Sequence, residues 1–404
     1  MGAGWQTKKL GEVCSFLNRG ISPKYLEDGG VCVLNQKCVR DHAVSYEPSR
    51  RHDGKAKAVS AERFVRLGDV LVNSTGTGTL GRVAQVREVP DELTTVDSHV
   101  TIVRPISDLF HLDFFGYMLV MIEEQIKEAG EGCGGQTELA RSVLAERFTV
   151  SYPTSISEQQ RIVGILDEAF DGIATAKANA EQNLQNARAL FESHLQSVFT
   201  QRGEGWVEKQ LGEFAAFRNG INFTKSSKGK SIKILGVKDF QNSFWAPLDD
   251  LDSVIPDGAL PDSDTLQKGD LVFVRSNGNP ELIGRCLLIG EVSERVTYSG
   301  FTIRARIHAA DVSPIYLCHF LKSSVVRRQM IEGGNGANIK SLNQGTLSHL
   351  VIPVPPFKQQ AKIVRQIEEV SEETQRLESL YQRKLATLDE LKKSLLHQAF
   401  SGML

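Results

Sequence analysis

Two long stretches of the chain place hydrophobic or small side chains every three to four residues, with polar side chains between them. The first stretch, 157–199, contains no proline, and the second lies near the C-terminal end, each position 201 residues after its counterpart. This period marks one face of an α-helix, so the sequence predicts two long helices. The paired seam positions are Ile162, Leu166, Ala169, Ile173, Ala176, Ala180, Leu184, Ala187 and Leu190, and Ile363, Ile367, Val370, Thr374, Leu377, Tyr381, Leu385, Leu388 and Leu391.

A helix of about 43 residues rises roughly 64 Å, which is more than one ordinary domain can bury, so each helix needs a partner along its length. The first seam is rich in alanine, and the second carries leucine, isoleucine and tyrosine. Small side chains of the first helix can therefore pack against large side chains of the second. We expect the helices to pair as a coiled coil, and the short glycine-containing connection at 200–206 favours an antiparallel pair. Packing of each helix on its own neighbouring domain is the alternative.

The segments before the helices repeat at nearly the same offset. GWQTKKLGEVCSFLNRGI (4–21) matches GWVEKQLGEFAAFRNGI (205–221), LGDVLVNSTGTGTLGRV (67–83) matches KGDLVFVRSNGNPELIGRC (268–286), and Ser98–Ile102 matches Ser299–Ile303. Short β-rich runs are separated by glycine, aspartate and asparagine turns, with helices predicted at 114–129 and 315–331. The predicted fold is α+β: two similar globules and two long helices, with an internal pseudo-two-fold repeat.

Proline-containing segments mark the domain boundaries. We expect a first globule at 1–155, a central helix at 156–203, a second globule at 204–355 and a C-terminal helix at 356–404. Tyr152-Pro153 and IPVPPF (352–357) precede the two helix starts, and Ser157 is the predicted N-cap of the central helix.

Composition limits the kind of partner and the kind of compartment. A net charge of −2 argues against a protein that holds nucleic acid by bulk positive charge alone. The six cysteines show no CxxC pair, and we expect reduced thiols. The first residues lack the apolar region of a signal peptide, and no apolar run approaches the length of a membrane span. We therefore expect a soluble, cytoplasmic protein.

No motif in the chain indicates catalysis or a metal site. STGTGTLG (74–81) has no lysine where a phosphate-binding P-loop requires one, and VPPF (354–357) lacks the acid or amide of an adenine methyltransferase motif. The acidic stretch 249–264 is predicted to be a surface loop rather than a nuclease centre.

Polar, glycine-rich loops recur at matching places in the two globules, accompanied by local clusters of basic residues. Such loops offer backbone N–H groups and hydroxyl, amide and guanidinium side chains that suit phosphates and base edges. Ordinary turns or solvated surface loops remain the alternative for any one of them. The candidate DNA-contacting residues are Asn35, Lys37, Arg50, Arg51, Lys55, Asn73, Ser74, Thr75, Thr77, Gln136 and Thr137 in the first globule, and Lys225, Lys228, Lys230, Lys238, Arg275, Ser276, Asn277, Asn279, Asn338 and Lys340 in the second.

Taken together, the chain resembles the specificity subunits of Type I restriction-modification systems. The resemblance rests on the Leu-Gly-Glu openings after Trp5 and Trp206, the Gly-Asp-strand-loop-Gly-Arg units at 68–82 and 269–285, and the helix starts EQQRIVGILDE and KQQAKIVRQIEE. It departs from the family pattern in two places. The second helix start reads KQQ where the family usually has an acid before the glutamines, and the first globule lacks a double proline.

The resemblance implies a non-catalytic subunit that reads a bipartite DNA site with two target recognition domains, held apart by an antiparallel coiled coil. It implies double-stranded DNA as ligand, two modification subunits that use S-adenosylmethionine to methylate adenine at N6, and restriction subunits that use ATP and Mg²⁺. No cofactor or metal is expected in this chain. The alternatives are a coiled-coil scaffold whose globules bind proteins, an enzyme with its own site, and the specificity subunit of a methyltransferase without restriction subunits.

Overall fold

The structure is a computed structural model that describes residues 4–133, 136–224, 227–241, 243–332 and 341–404, without side chains at 131–137. The chain forms two compact units. Unit 1 comprises Met1–Ala180 together with Arg383–Leu404, and unit 2 comprises Glu181–Gln382. Each unit contains a globule and parts of both long helices. The expected α+β fold with two similar globules and two long helices is confirmed.

Unit 1 combines fourteen strands with three short helices and the first part of a long one, counted over its described residues. The strands are β1 (Trp5–Lys9), β2 (Cys14–Arg19), β3 (Tyr25–Leu26), β4 (Val31–Leu34), β5 (Val39–Arg40), β6 (Ala43–Val44), β7 (Arg50–His52), β8 (Val70–Asn73), β9 (Val83–Gln85), β10 (Thr94–Val96), β11 (Val100–Pro105), β12 (Glu131–Cys133), β13 (Gln136–Glu138) and β14 (Thr149–Pro153). The helices are α1 (Leu112–Met121), α2 (Glu123–Glu128), α3 (Arg141–Glu146) and the long α4 (Ile156–Thr200).

Two four-stranded sheets organise this globule. Their orders are β2-β11-β8-β9 and β10-β4-β7-β3, with β10 and β4 parallel. All four residues of β8 are buried, as expected for a short apolar run at the middle of a sheet. A separate antiparallel pair, β1 with β14, joins the start of the globule to the strand that precedes α4.

Unit 2 repeats this arrangement. Its strands are β15 (Val207–Gln210), β16 (Ala215–Asn219), β17 (Ile232–Leu235), β18 (Asp252–Val254), β19 (Leu271–Val274), β20 (Cys286–Leu288), β21 (Val296–Tyr298), β22 (Thr302–Ile307) and β23 (Val351–Val354). Its helices are α5 (Pro314–Lys322), α6 (Ser324–Glu332), α7 (Gln344–Ser348) and α8 (Phe357–Phe400). The sheets run β16-β22-β19-β20 and β18-β17-β21, again with one parallel pair, β17 with β21, and β15 pairs with β23.

Short 3-10 turns connect several strands in both units. They span Leu10–Val13, Gln36–Cys38, Ala61–Arg63, Leu211–Glu213, Val237–Asp239, Asp262–Asp264 and Pro280–Leu282. Among the described residues, no helix combines the length and apolar character needed to cross a membrane.

Within unit 1, α4 and α8 pack antiparallel. The Lys392 ammonium lies 5.0 Å from the centre of the Phe170 ring, and Lys177 Nζ lies 2.7 Å from Asp389 Oδ1, so α8 runs backwards as α4 advances. The first turns of α4 and the last turns of α8 share the core of the globule, which contains Ile162, Leu166, Leu396, Ala399 and Phe400.

Within unit 2, the other parts of the same helices also pack antiparallel. Arg188 Nε lies 3.0 Å from Glu378 Oε1. Farther along α4, Leu195 and Phe199 share a core with residues of the first turns of α8, including Ile363 and Ile367. The predicted antiparallel helix pair is therefore present in each unit, and packing on the globule accompanies it rather than replacing it.

The predicted seam is wrong at its last position in both helices. Leu190 is 67% exposed and Leu391 is 45% exposed. Both seams step one residue further. In α4, Phe191 and Leu195 pack in the core of unit 2 instead of Leu190. In α8 the half-buried side chain of Lys392 takes the place of Leu391.

A buried glutamine anchors the start of each long helix. Gln159 Oε1 accepts a hydrogen bond from His111 N at 2.8 Å, and its amide nitrogen donates to the carbonyls of Pro153 and Leu109. Gln360 repeats the arrangement, accepting from Ser313 N at 2.7 Å and donating to the carbonyls of Asp311 and Pro355. Both glutamines are completely buried.

These anchors correct two details of the sequence reading. Gln159 is the structural equivalent of Gln360. The acid Glu158 therefore corresponds to Gln359, so the glutamines of KQQ and of EQQ do not align one to one but are offset by one residue. The helix α4 starts at Ile156 rather than after Ser157, and Ser155 Oγ accepts from Glu158 N at 3.4 Å. Ser155 is therefore the N-cap, because its hydroxyl satisfies a backbone donor of the first turn.

Each predicted internal helix is divided into two in the structure. The region 114–129 contains α1 and α2, and the region 315–331 contains α5 and α6. Between α1 and α2, Ile122 has φ −96° and ψ 7°, and between α5 and α6, Ser323 is extended with ψ 143°. The hydrophobic pattern does not register these single-residue breaks, because side chains on both sides of each break enter the same core.

An ion pair between an arginine and a buried aspartate recurs in the two globules. Arg104 donates to both carboxylate oxygens of Asp69 at 2.7 Å, and Arg306 donates to both oxygens of Asp270 at 2.8 and 2.7 Å. Burial raises the pKa of Asp69 while the guanidinium opposes this shift. The pairs show that β11 aligns with β22 at an offset of 202, so the match of Ser98 with Ser299 is one residue out of register.

We expect the substitution Gln360→Met to lower the free energy of unfolding of unit 2 by at least about 3 kcal/mol. Methionine fills a similar volume but leaves one buried N–H and two buried carbonyls without their partner, and each such loss costs about 1–3 kcal/mol. Urea unfolding followed by tryptophan fluorescence checks this. Lys358→Ala, at an exposed position of the same turn, is the control. Equal urea midpoints for the two variants would contradict the anchoring role.

Candidate nucleic-acid interface

The loop after β8 is closed by backbone hydrogen bonds at its base. Asn73 N donates to Arg82 O at 2.9 Å, and Gly81 N donates to Asn73 O at 2.7 Å. Gly76 and Gly81 have φ values of 104° and 80°, which side chains with a Cβ rarely adopt. The glycines therefore allow a tight loop that projects from the end of a buried strand.

The loop after β19 has the same closure. Val274 N donates to Arg285 O at 2.9 Å, and Gly284 N donates to Val274 O at 3.0 Å. Gly284 has φ 75°. The two loops occupy equivalent places in their units, although the second is two residues longer.

In unit 1, three further segments surround this loop. Gln36 Nε2 donates to Thr75 Oγ1 at 2.6 Å, Thr75 Oγ1 is hydrogen-bonded to His99 Nδ1 at 2.8 Å, and Thr75 forms a β-bridge with Glu138. We call this assembly loop surface 1: the loop 74–80, the turn 35–38, His99 and the paired strands β12 and β13. It gathers backbone and side-chain donors at one end of the central strands.

Loop surface 2 is its counterpart in unit 2: the loop 275–282, the turn 236–241, residues 299–301 and residues 341–343. Arg275 N donates to Phe301 O and Arg275 O accepts from Leu342 N, both at 2.8 Å. Ser299 N donates to Leu235 O at 3.0 Å, which places residues 299–301 beside the end of β17.

Several candidate side chains are occupied in holding the loops together. Asn35 accepts from Lys37 N and donates to Pro48 O, the Asn73 amide donates to Gln36 O at 3.1 Å, and Ser74 Oγ lies 2.5 Å from Thr101 Oγ1. Asn73 and Ser74 are fully buried. In unit 2, Asn277 Oδ1 accepts from Asn279 N, and Asn279 Oδ1 accepts from Glu281 N.

Other candidates present their side chains at the loop surfaces. Lys37 and Thr77 are exposed on loop surface 1, and Arg275 and Ser276 are half-buried on loop surface 2. The Arg275 guanidinium makes one long hydrogen bond, 3.4 Å, to Gly300 O. Lys238 is exposed on the turn 236–241 of the same surface, where its ammonium lies 2.5 Å from Asp252.

The remaining basic candidates lie elsewhere. In unit 1, Arg50 stacks on the Tyr25 ring at 3.5 Å, Arg51 pairs with Glu92, and Lys55 is exposed beyond the end of β7. In unit 2, Lys230 lines a cleft of about 730 Å³ at the start of β17, and the exposed Lys228 lies beside it. Loop surface 2 lies at the other end of that four-residue strand, roughly 13 Å away at 3.3 Å per residue.

Five candidates cannot be placed in this way. Lys225, Asn338 and Lys340 lie outside the described residues. Gln136 and Thr137 lie on β13, whose backbone is described while their side chains are not. All of the candidates remain predictions as DNA contacts.

Sequence reasoning did not select two prominent side chains of the loop surfaces. His99 is exposed beside Thr75, and Phe301 is 61% exposed beside Arg275. At the offset of 202 they occupy equivalent positions in the two copies, just before β11 and β22. An aromatic or imidazole ring at the end of a buried strand, in both copies of a repeat, is the signal that could have indicated them.

With the fold and these surfaces established, comparison with known proteins shows the family. The family profile described as the Type I restriction modification DNA specificity domain matches residues 3–186 and again residues 203–384. The chain belongs to this family. The two matches fall on the two copies of the repeat.

Individual relatives agree with this assignment. The specificity subunit of the Type I restriction enzyme EcoKI from Escherichia coli K12 is 27% identical over 271 residues, covering 62% of this chain and 56% of that protein. The chain thus matches little more than half the length of this curated relative.

Two solved structures share the fold at low identity. A chain from a study of the assembly of a Type I restriction-modification system gives a TM-score of 0.80 at 15% identity, covering 100% of this chain and 99% of the other. The HsdS subunit from Thermoanaerobacter tengcongensis gives a TM-score of 0.62 at 18% identity, covering 100% of this chain and 98% of the other.

The geometry predicts different consequences for two neighbouring candidates of loop surface 1. Asn73→Ala removes the buried amide that donates a hydrogen bond to Gln36 O, so we expect the free energy of unfolding to fall by about 1–2 kcal/mol. Thr77→Ala changes an exposed loop tip, and we expect a change within about 0.5 kcal/mol. Urea unfolding measures both. A larger loss in Thr77→Ala than in Asn73→Ala would show that the loop is held together differently.

Proposed function

We propose that this chain is the DNA-specificity subunit of a Type I restriction-modification complex, in which each unit reads one half of a bipartite site. The observation that supports this most directly is the repetition of one loop surface, at the same strand ends, in both units of a chain of this family. Two similar but chemically different reading surfaces suit a target of two different half-sites.

The exposed side chains of the loop surfaces suit base edges. Lys37 and Arg275 are long cations of the kind that donate to guanine, and Thr77 can donate or accept. Phe301 offers an apolar ring that suits the thymine methyl group. Because the net charge is −2, phosphate attraction must come from local clusters of basic residues.

The helix pair gives this recognition a length scale. In each unit, α4 and α8 are held in antiparallel register by ion pairs and by the buried cores at their ends. We propose that the paired helices set the number of unread base pairs between the half-sites.

The chemistry of the complex is assigned to partner subunits. In this proposal, two modification subunits bind S-adenosylmethionine and methylate adenine at N6, and restriction subunits contribute cleavage that depends on ATP and Mg²⁺. The present chain supplies recognition and docking and no catalytic residue. A methyltransferase that lacks restriction subunits would use the chain in the same way.

We expect adenine methylation only when this chain is combined with its modification subunit, and only at one split sequence. A library of duplexes with two randomised half-sites and variable gaps, incubated with S-adenosylmethionine, reveals that sequence. Each protein alone is the control. Methylation by one protein alone would indicate an enzyme. Absence of DNA binding by the mixture across a salt series would favour the protein-binding scaffold.

The proposed spacing role predicts the effect of matched insertions. Seven residues inserted between Leu184 and Gln185 and seven between Tyr381 and Gln382 preserve the observed register and lengthen the pair by about 10 Å. We therefore expect the preferred gap to widen by about three base pairs, at 3.4 Å per base pair. The same methylation library measures the gap.

A single insertion provides the matched control. Seven residues inserted only in α4 leave α8 too short to pair in register, so we expect this variant to lose stability without acquiring a new defined gap. An unchanged gap in the doubly extended variant, with methylation retained, would show that the helices do not set the spacing.

A further inference from the structure

Three basic side chains converge on one small pocket of unit 2. Arg285 ends the loop after β19, Lys322 ends α5, and Arg327 lies on α6. They line a cavity of about 260 Å³ together with Gln241, Gly284 and Cys286. No lining residue among them carries a carboxylate, so the pocket is positively charged.

Backbone carbonyls hold all three cations in place. Arg285 donates to Phe240 O and Glu281 O at 3.2 Å, Lys322 donates to Ser243 O at 2.9 Å and Cys286 O at 3.2 Å, and Arg327 donates to Glu281 O. Within the described part of the chain, none of the three forms an ion pair with a carboxylate. The carbonyls orient the cations, and the nearby charge of Glu281 offsets only part of their positive charge.

The arrangement is electrostatically unfavourable without an anion. Burial, and then the positive charge of Arg285, lower the pKa of Arg327, although a guanidinium stays protonated. Arg327 Nε is buried and, among the described residues, has no hydrogen-bond partner. An unsatisfied buried donor and neighbouring like charges both cost free energy. An oxyanion in the pocket would accept from these donors and offset the repulsion.

The pocket adjoins loop surface 2. Gly284 and Arg285 close the base of its loop, and the carbonyl of Phe240, which binds Arg285, belongs to its turn 236–241. A duplex lying on that surface would bring its sugar-phosphate backbone to the neighbouring cations. We propose that Arg285, Lys322 and Arg327 bind a backbone phosphate of the DNA and thereby fix the orientation of unit 2 on the duplex.

This inference rests on the proposed function and deepens it, because phosphate contacts position a protein whereas base contacts specify the sequence. The equivalent surface of unit 1 is different. Glu123 and Glu124 of α2 both pair with Lys127, at 2.5 and 2.8 Å, beside Gly81. Two carboxylates against one ammonium leave that surface without an excess of positive charge, so we assign the phosphate contact to the second unit alone.

The test measures DNA affinity of the complex of this chain with its modification subunit, over a series of salt concentrations. Arg327→Gln removes one phosphate contact, so the slope of log affinity against log salt should become shallower by about 0.9. We expect affinity to fall roughly 3–10-fold near 0.1 M salt, with the base preferences of both half-sites unchanged. Arg328→Gln, at the exposed next residue of the same helix, removes an equal charge outside the pocket and should leave slope and affinity nearly unchanged.

A second arm identifies the phosphate. Single methylphosphonate linkages, which lack the charge, are scanned along the DNA backbone. One position should weaken binding by the unsubstituted protein, and the same substitution should have a clearly smaller effect on Arg327→Gln, because that variant has already lost one of the three cations at this phosphate. Arg327→Lys keeps the charge and should retain the salt slope. If a thermal unfolding experiment shows that Arg327→Gln does not fold, Lys322→Gln takes its place with the same expectations.

The outcomes separate this inference from the proposed function. Equal slopes for the unsubstituted protein, Arg327→Gln and Arg328→Gln, with specific DNA binding intact, would overturn the phosphate contact alone. Absence of DNA binding by the unsubstituted complex would overturn both. Thermal stabilisation by millimolar inorganic phosphate that Arg327→Gln abolishes, together with an unchanged DNA slope, would make this a site for free phosphate and overturn the DNA assignment.

Discussion

The side-chain amides of Gln159 and Gln360 fix the direction in which each long helix leaves its globule. Each amide joins three backbone groups from two segments: the loop before a short helix and the strand end before the long helix. A long helix transmits any error in its starting angle along its whole length, and roughly 60 Å of helix turns a small tilt into a large displacement. The antiparallel pairing observed in each unit therefore depends on two buried hydrogen-bond clusters at the helix starts.

Much of this architecture is visible in the sequence because it is repetitive. The 201-residue offset links the two seams, the Leu-Gly-Glu openings and the Gly-Asp-strand-loop-Gly-Arg units, and all of these recur as equivalent elements. The details that could not be predicted depend on single contacts. The exposure of Leu190 and Leu391 follows from where each helix meets its globule, and the one-residue shift of β22 became visible only through the pairing of Arg306 with Asp270.

The candidate site was harder to predict for a physical reason. Asparagine, serine and threonine in a loop can bind a ligand or hold the loop itself, and sequence does not distinguish these uses. Asn73, Ser74 and Asn279 hold the loops together, whereas Lys37, Thr77 and Arg275 present polar groups at the surface. The cations near Arg327 were not predicted because they come from segments about forty residues apart, brought together by the packing of α5 and α6 against the sheet.

The division of the chain into units also has a consequence for the order of folding. Unit 2 is one continuous stretch, so all of its contacts become available as soon as residue 382 has been synthesised. Unit 1 is discontinuous, and its core includes Leu396, Ala399 and Phe400. On the ribosome, the first globule must wait, with part of its hydrophobic surface uncovered, until α8 emerges. The globule that is synthesised first is therefore the one that is completed last.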